Sequence, residues 1–106
     1  DLHHDNVIQT AQGLRAFDAK GVAGPAAYEL ANAFRHPRGC GLHARDPEVT
    51  VARARAWSAA LGCDPGDLVQ WAIAKAALSM VWAGREARED LAVIAALLRA
   101  GRSAGL

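Results

Sequence analysis

Two short strand-like runs, Val7-Ile-Gln-Thr10 and Leu14-Arg-Ala-Phe17, flank Ala11-Gln12-Gly13. A three-residue loop ending in glycine predicts a hairpin closed through a left-handed residue. Pairing about that turn sets Thr10 opposite Leu14 and, further out, Asn6 opposite Asp18. Ala19 to Gly24 then reads as a flexible stretch. Pro25 suits a first helical turn, and Ala26 to Arg35 carry an apolar stripe of Tyr28, Leu30, Ala31 and Phe34, predicting one helix. Residues 36–41 read as a loop. Asp46-Pro47-Glu48 combines a cap, a first-turn proline and an acidic first turn, so a second helix runs to Leu61 and ends at Gly62. Asp64-Pro65-Gly66-Asp67 starts a third helix over 65–83 by similar chemistry. Leu68, Trp71, Leu78 and Trp82 line one side of it, and Val69, Ile73, Ala76 and Met80 another, which predicts burial all round. Gly84 breaks the pattern. A fourth helix follows to about Arg99, with Leu91, Ile94, Ala95 and Leu98 facing inward and a frayed tail from Gly101. At least two of Trp57, Trp71 and Trp82 are expected in the core.

Composition narrows the class. A chain of 106 residues holds at most one domain, and 52% hydrophobic residues with a net charge of +1 exclude a disordered segment. The same balance excludes a nucleic-acid binder, which needs a concentrated basic surplus. Two cysteines make no disulfide framework and point to a reducing cytoplasm. Leu68 to Ala83, the longest apolar stretch, is short for a membrane span and is interrupted by Gln70 and Lys75. The chain opens Asp1-Leu-His-His-Asp-Asn6 without methionine, which reads as a C-terminal fragment of a longer protein.

Candidate chemistry gathers at that opening. Phosphoryl transfer needs a carboxylate to position a hydroxyl, and hard oxygen ligands for Mg²⁺ on the nucleotide phosphates. Asp1 and Asn6 have the D-x-x-x-x-N spacing of a kinase catalytic loop, and Asp18 follows one hairpin later, in the position of a metal-binding aspartate. Capping and turn roles are the plain alternative for all three. His3, His4 and Asp5 with His36, His43, Cys40 and Cys63 form another possible metal cluster, but their spacings match no zinc pattern. His3 and His4 are expected to support the loop.

Four segments carry a resemblance: Asp1-Leu-His-His-Asp-Asn6, Phe17-Asp18-Ala-Lys20-Gly21, Tyr28-Glu29-Leu-Ala-Asn32 and Arg35-His-Pro37. Together they resemble the C-terminal lobe of aminoglycoside phosphotransferases, closest to the streptomycin kinase (aminoglycoside/hydroxyurea resistance kinase) branch. The resemblance is dense over residues 1–37. Ala19 stands where that family has proline, and Pro25-Ala26 where Asp-Pro is usual, which removes a polar anchor near Asp18.

The resemblance implies an α+β, mostly α fold: the C-terminal lobe of a protein-kinase-like domain, with a short hairpin and about four helices. Residues 1–24 would carry the catalytic loop and metal hairpin, and 25–106 a helical subdomain. It further implies that Asp1 is the catalytic carboxylate, that Asn6 and Asp18 hold Mg²⁺, and that Glu29 braces the loop. ATP would be the donor and an aminoglycoside, streptomycin foremost, the acceptor. Only six residues separate Asp18 from Pro25, too few for a peptide-docking segment, so the acceptor is a small molecule. A polycationic acceptor calls for carboxylates, for which Asp64, Asp67, Glu86, Glu89 and Asp90 are candidates. The glycine-rich loop and strand lysine of a nucleotide-binding lobe have no place in this sequence, whose two lysines are Lys20 and Lys75. Both are expected upstream, leaving the fragment alone inactive. A kinase for another small alcohol or sugar, or a non-catalytic helical module, remains the alternative.

Overall fold

The computed structural model describes residues 2–19, 21–36, 45–83 and 88–106, with Glu89 by its backbone alone. Asp1, Lys20, Cys40, His43 and Glu86 lie outside the described residues, as does the side chain of Glu89. Within them, an antiparallel hairpin of β1 (Val7–Thr10) and β2 (Gly13–Ala16) precedes α1 (Ala26–Glu29), α2 (Pro47–Leu61), α3 (Pro65–Ala83) and α4 (Arg88–Ala104). A 3₁₀ turn, His4–Asn6, leads into β1, and a 3₁₀ segment, Ala31–Arg35, follows α1. The fold is α+β and mostly α, as expected.

The hairpin differs from its expected register by one residue. Thr10 pairs with Gly13 and Val7 with Ala16, so the loop is Ala11-Gln12. Gly13 does take a positive φ, +100°, but inside the ladder. Thr10 explains the tighter closure. Its hydroxyl donates to the Gly13 carbonyl at 2.7 Å and accepts from the Gln12 N–H at 3.2 Å. Asn6 therefore stands opposite Phe17, whose N–H donates to the Asn6 carbonyl at 2.9 Å.

The expected helix over 26–35 is also corrected. It is one α-turn, then a 3₁₀ run after Leu30 (φ −97°, ψ 2°). Three residues per turn align Ala31 with Phe34, and both are buried. α2 starts and stops, and α3 starts, as their caps predict, whereas α4 runs to Ala104, past its expected end near Arg99. Asp46 accepts the Glu48 N–H at 2.9 Å, Gly62 closes α2 in the left-handed region, and Asp64 accepts the N–H groups of Gly66 and Asp67 at 2.7 and 3.2 Å.

The core is built from small residues. Ala27, Phe34, Ala54, Leu68, Val69, Ala72, Val93 and Leu97 form its centre, with Leu30, Trp57, Cys63, Ile73 and Leu106 packed against it. α3 packs against α4, α2 and the 3₁₀ segment, but it is not buried all round. Trp71, Leu78, Val81 and Trp82 are exposed, Trp82 by 67%. Only Trp57 of the three tryptophans joins the core. α4 turns a different face inward from the one expected. Val93, Ala96, Leu97 and Ala100 are buried, while Leu91 and Leu98 are exposed. Its C-terminus is not frayed: Gly105 adopts φ +68°, and the Leu106 N–H donates to the Gly101 carbonyl at 2.8 Å.

Candidate active site

The loop leading into the hairpin is folded by its own side chains. His3 precedes the 3₁₀ turn and accepts the Asp5 N–H through Nδ1 at 3.3 Å. The Asn6 N–H donates to the His3 carbonyl at 2.9 Å, and Asn6 is buried, with Nδ2 3.3 Å from His3 Nε2. From there the chain enters β1, while β2 returns to deliver Phe17 and then Asp18 beside it.

Asp18 is the one non-glycine residue with positive φ (+60°) among the described residues. An L-residue there costs about 1–2 kcal/mol, least for aspartate and asparagine. That cost is held at the exit of β2, on a carboxylate that follows the residue paired with buried Asn6. An amide oxygen and a carboxylate also suit a hard divalent cation, which takes one or two carboxylates and leaves the remaining positions to phosphate and water. This donor set fits Mg²⁺.

Glu29, at the end of α1, reaches the loop through its backbone: its carbonyl accepts the Leu2 N–H at 3.3 Å. Leu2, Phe17, Asp18, Ala19 and Glu29 line a small cleft of about 80 Å³. Ala19 and Glu29 also border a larger neighbouring cleft of about 550 Å³, whose walls include Pro25, Tyr28, Asn32 and Lys75. The Lys75 ammonium lies 5.8 Å from the Tyr28 ring and 5.2 Å from the Trp82 ring. Tyr28 meets Trp71 edge-on at 5.4 Å.

The remaining candidate carboxylates do not converge. Asp64 and Asp67 lie at the start of α3, where Asp64 caps the helix. Asp90 is buried near the start of α4, where Arg35 donates to it at 2.6 Å. Arg35 also donates to Ser79, about 20 Å further along α3 than Asp64 at 1.5 Å per residue. Asp1, Glu86 and the Glu89 side chain fall outside the described residues.

One neighbour of the site escapes sequence reasoning: Lys75, which periodicity treats as a break in an apolar helix. His36 enters that reasoning only as a member of the possible metal cluster. Its ring is buried and stacks on His3, with centroids 4.1 Å apart and planes 9° from parallel. Asp5 Oδ2 faces Nδ1 of both rings, at 3.9 Å from His3 and 3.7 Å from His36. Thus His3, Asp5 and His36, three members of the set considered as a metal cluster, do meet, with ligand atoms within 4.8 Å of one another. Cys63 instead packs at the α2–α3 turn. Arg53 of α2 donates to the His36 carbonyl at 2.9 Å. Burial lowers the Arg53 pKa from its ordinary value, though the guanidinium stays charged at neutral pH.

The family model of the aminoglycoside/hydroxyurea antibiotic resistance kinases matches residues 1–87. The chain belongs to that family. The match extends well past the dense motifs of residues 1–37, through α1, α2 and α3, and ends just before α4. No curated protein and no solved structure matches the chain. Membership makes this a phosphotransferase sequence of the antibiotic resistance kinases, a class that in general uses a nucleotide donor and a metal. Among the described residues, no helix is long and apolar enough to cross a membrane.

Proposed function

We propose that the protein is the C-terminal part of a cytoplasmic, ATP-dependent kinase that phosphorylates a hydroxyl of an aminoglycoside, streptomycin foremost. Residues 1–24 supply the catalytic loop and metal hairpin, and 25–106 the helical subdomain. Asp1 accepts the proton of the acceptor hydroxyl, Asn6 and Asp18 hold Mg²⁺, and Glu29 braces the loop. Mg²⁺, when bound, neutralises charge on the nucleotide phosphates. The observation that carries this reading is the bond from the Phe17 N–H to the Asn6 carbonyl, which draws Asn6 and strained Asp18 to one end of the hairpin. Beside them lies a 550 Å³ cleft, a size suited to a small-molecule acceptor.

A second reading, a kinase for a neutral or anionic small alcohol, is favoured by Lys75. That wall of the cleft holds a cation, which opposes a polycation. The test is to incubate the intact kinase with ATP, Mg²⁺ and a panel of streptomycin, other aminoglycosides, sugars and small alcohols. Mass spectrometry then looks for a product heavier by one phosphoryl group. Phosphorylated streptomycin supports the first reading. A product from neutral alcohols alone replaces it with the second.

A further inference from the structure

We propose that the rings of Tyr28 and Trp82 form a clamp for an organic cation, an alkylated ammonium or guanidinium group. Lys75 occupies the clamp until such a ligand displaces it. This is a binding site whatever reaction the chain serves, and nothing in it depends on Asn6 or Asp18. Its parts come from α1 and α3. Trp71, Lys75 and Trp82 follow one another at spacings of four and seven residues along α3, which puts all three on one face of that helix. Tyr28 of α1 meets Trp71 edge-on at 5.4 Å, a contact that orients its ring against α3.

The Lys75 ammonium lies over the Tyr28 ring, 5.8 Å from its centroid, and over the Trp82 ring, 5.2 Å from its centroid. Two aromatic faces within about 6 Å of one point attract a cation placed there through their quadrupoles, an attraction that a neutral group does not feel. Lysine is a poor permanent occupant. Its stem is flexible and its ammonium strongly hydrated. Among the described residues no carboxylate pairs with it, and the two rings are what hold it. Tyr28 and Trp82 are both exposed, so the clamp is open to a ligand from solvent. Tyr28 and Lys75 also line the 550 Å³ cleft, together with acidic Glu29, so a ligand in the cleft reaches the clamp with its charged end.

Lys75 thus opposes an incoming cation by standing in its place. An exposed cation–π contact favours the occupied clamp by a factor of about two to five. The clamp is then vacant about a sixth to a third of the time, and its resident lysine weakens ligand binding about three- to sixfold.

The test is NMR on the full chain with ¹³C-labelled lysine side chains, titrated with tetramethylammonium chloride, sodium chloride, tert-butanol and inorganic phosphate. Ring currents hold the Lys75 ε-protons upfield while they sit over the rings, and Lys75→Ala assigns that signal. Tetramethylammonium is expected to return the signal downfield in a saturable way. Sodium chloride at equal ionic strength, and tert-butanol, a neutral group of similar bulk, should leave it in place. Lys75→Ala should tighten tetramethylammonium binding, read from the probe's own methyl shift, about three- to sixfold. Adding Trp82→Leu, at an exposed position, should weaken it again about two- to fivefold. A Lys75 signal that stays upfield at saturation overturns displacement, because charge repulsion alone tightens the Lys75→Ala variant without moving Lys75 in the wild type. Equal binding of tert-butanol, or a Trp82→Leu change without effect, overturns the clamp. Phosphate that moves the signal where tetramethylammonium does not assigns Lys75 to an anion and overturns the proposal too. Each of these outcomes leaves the metal reading of Asn6 and Asp18 untouched, since no nucleotide or divalent cation enters the titration.

Discussion

Arg35 donates through Nε to the Asp90 carboxylate over 2.6 Å, joining residues 55 positions apart. The same guanidinium donates from Nη1 to Asn32 Oδ1 at 3.1 Å and Ser79 Oγ at 3.0 Å. One side chain thereby ties the 3₁₀ segment to α3 and α4.

Truncating Asp90 leaves a half-buried guanidinium without its counter-charge. Asp90→Ala is expected to lower the unfolding free energy by about 2–4 kcal/mol, and Ser79→Ala by about 1 kcal/mol, in urea titrations. Asp90→Asn should leave the acceptor KM unchanged. A raised KM with unaltered stability would instead make Asp90 a substrate contact.

Asp18 combines a proposed metal-holding role with a left-handed backbone, and two substitutions separate them. Asp18→Asn tolerates the backbone but loses the charge, and should lower kcat/KM for phosphoryl transfer at least about 10³-fold, some 4 kcal/mol. Asp18→Ala should lose the same activity and about 1 kcal/mol of stability besides. Full activity in Asp18→Asn would remove Asp18 from the site.

Lys75 and Glu29 place opposite charges on the walls of the larger cleft. Where a polycationic aminoglycoside occupies it, Lys75→Ala relieves one solvent-screened repulsion, and KM should fall about five- to tenfold with little change in kcat, equivalent to about 1 kcal/mol. An increase in KM would show that Lys75 holds the acceptor, as a neutral or anionic substrate requires.

The capping signals of α2 and of the start of α3 were faithful. Asp46, Gly62 and Asp64 mark the ends of α2 and the start of α3 because capping is a contest among neighbouring backbone groups. What the sequence could not disclose was decided by distant partners. On α4, ranking by side-chain size selects Leu91 and Leu98, but close helix contact favours Ala96 and Ala100, and Asp90 is admitted to the inner face only because Arg35 meets it there. The hairpin register turned on one hydroxyl, Thr10, and a one-residue change moves every side chain to the other face. In the candidate site, Asn6 and Asp18 were readable as a motif. The placement of Lys75 was not, since it depends on the rings of Tyr28 and Trp82.

Gly66 offers the sharpest check on packing at the start of α3. An added Cβ there would sit 2.8 Å from Asp64 Oδ1 and 3.3 Å from the backbone carbon of Leu106. In an open helix, glycine to alanine gains up to about 1 kcal/mol. Here the methyl group must displace the capping carboxylate, worth about 1–2 kcal/mol, and push the docked C-terminus off the core. Gly66→Ala is therefore expected to destabilise the fold by about 1–2 kcal/mol in urea unfolding, whereas Gly24→Ala, with open space around it, should stay within about 0.5 kcal/mol of the wild type. In an Asp64→Ala background much of the penalty should vanish, because the cap is already lost. A stabilising Gly66→Ala in the wild type would mean that neither Asp64 nor Leu106 approaches this helix start as closely as the structure shows.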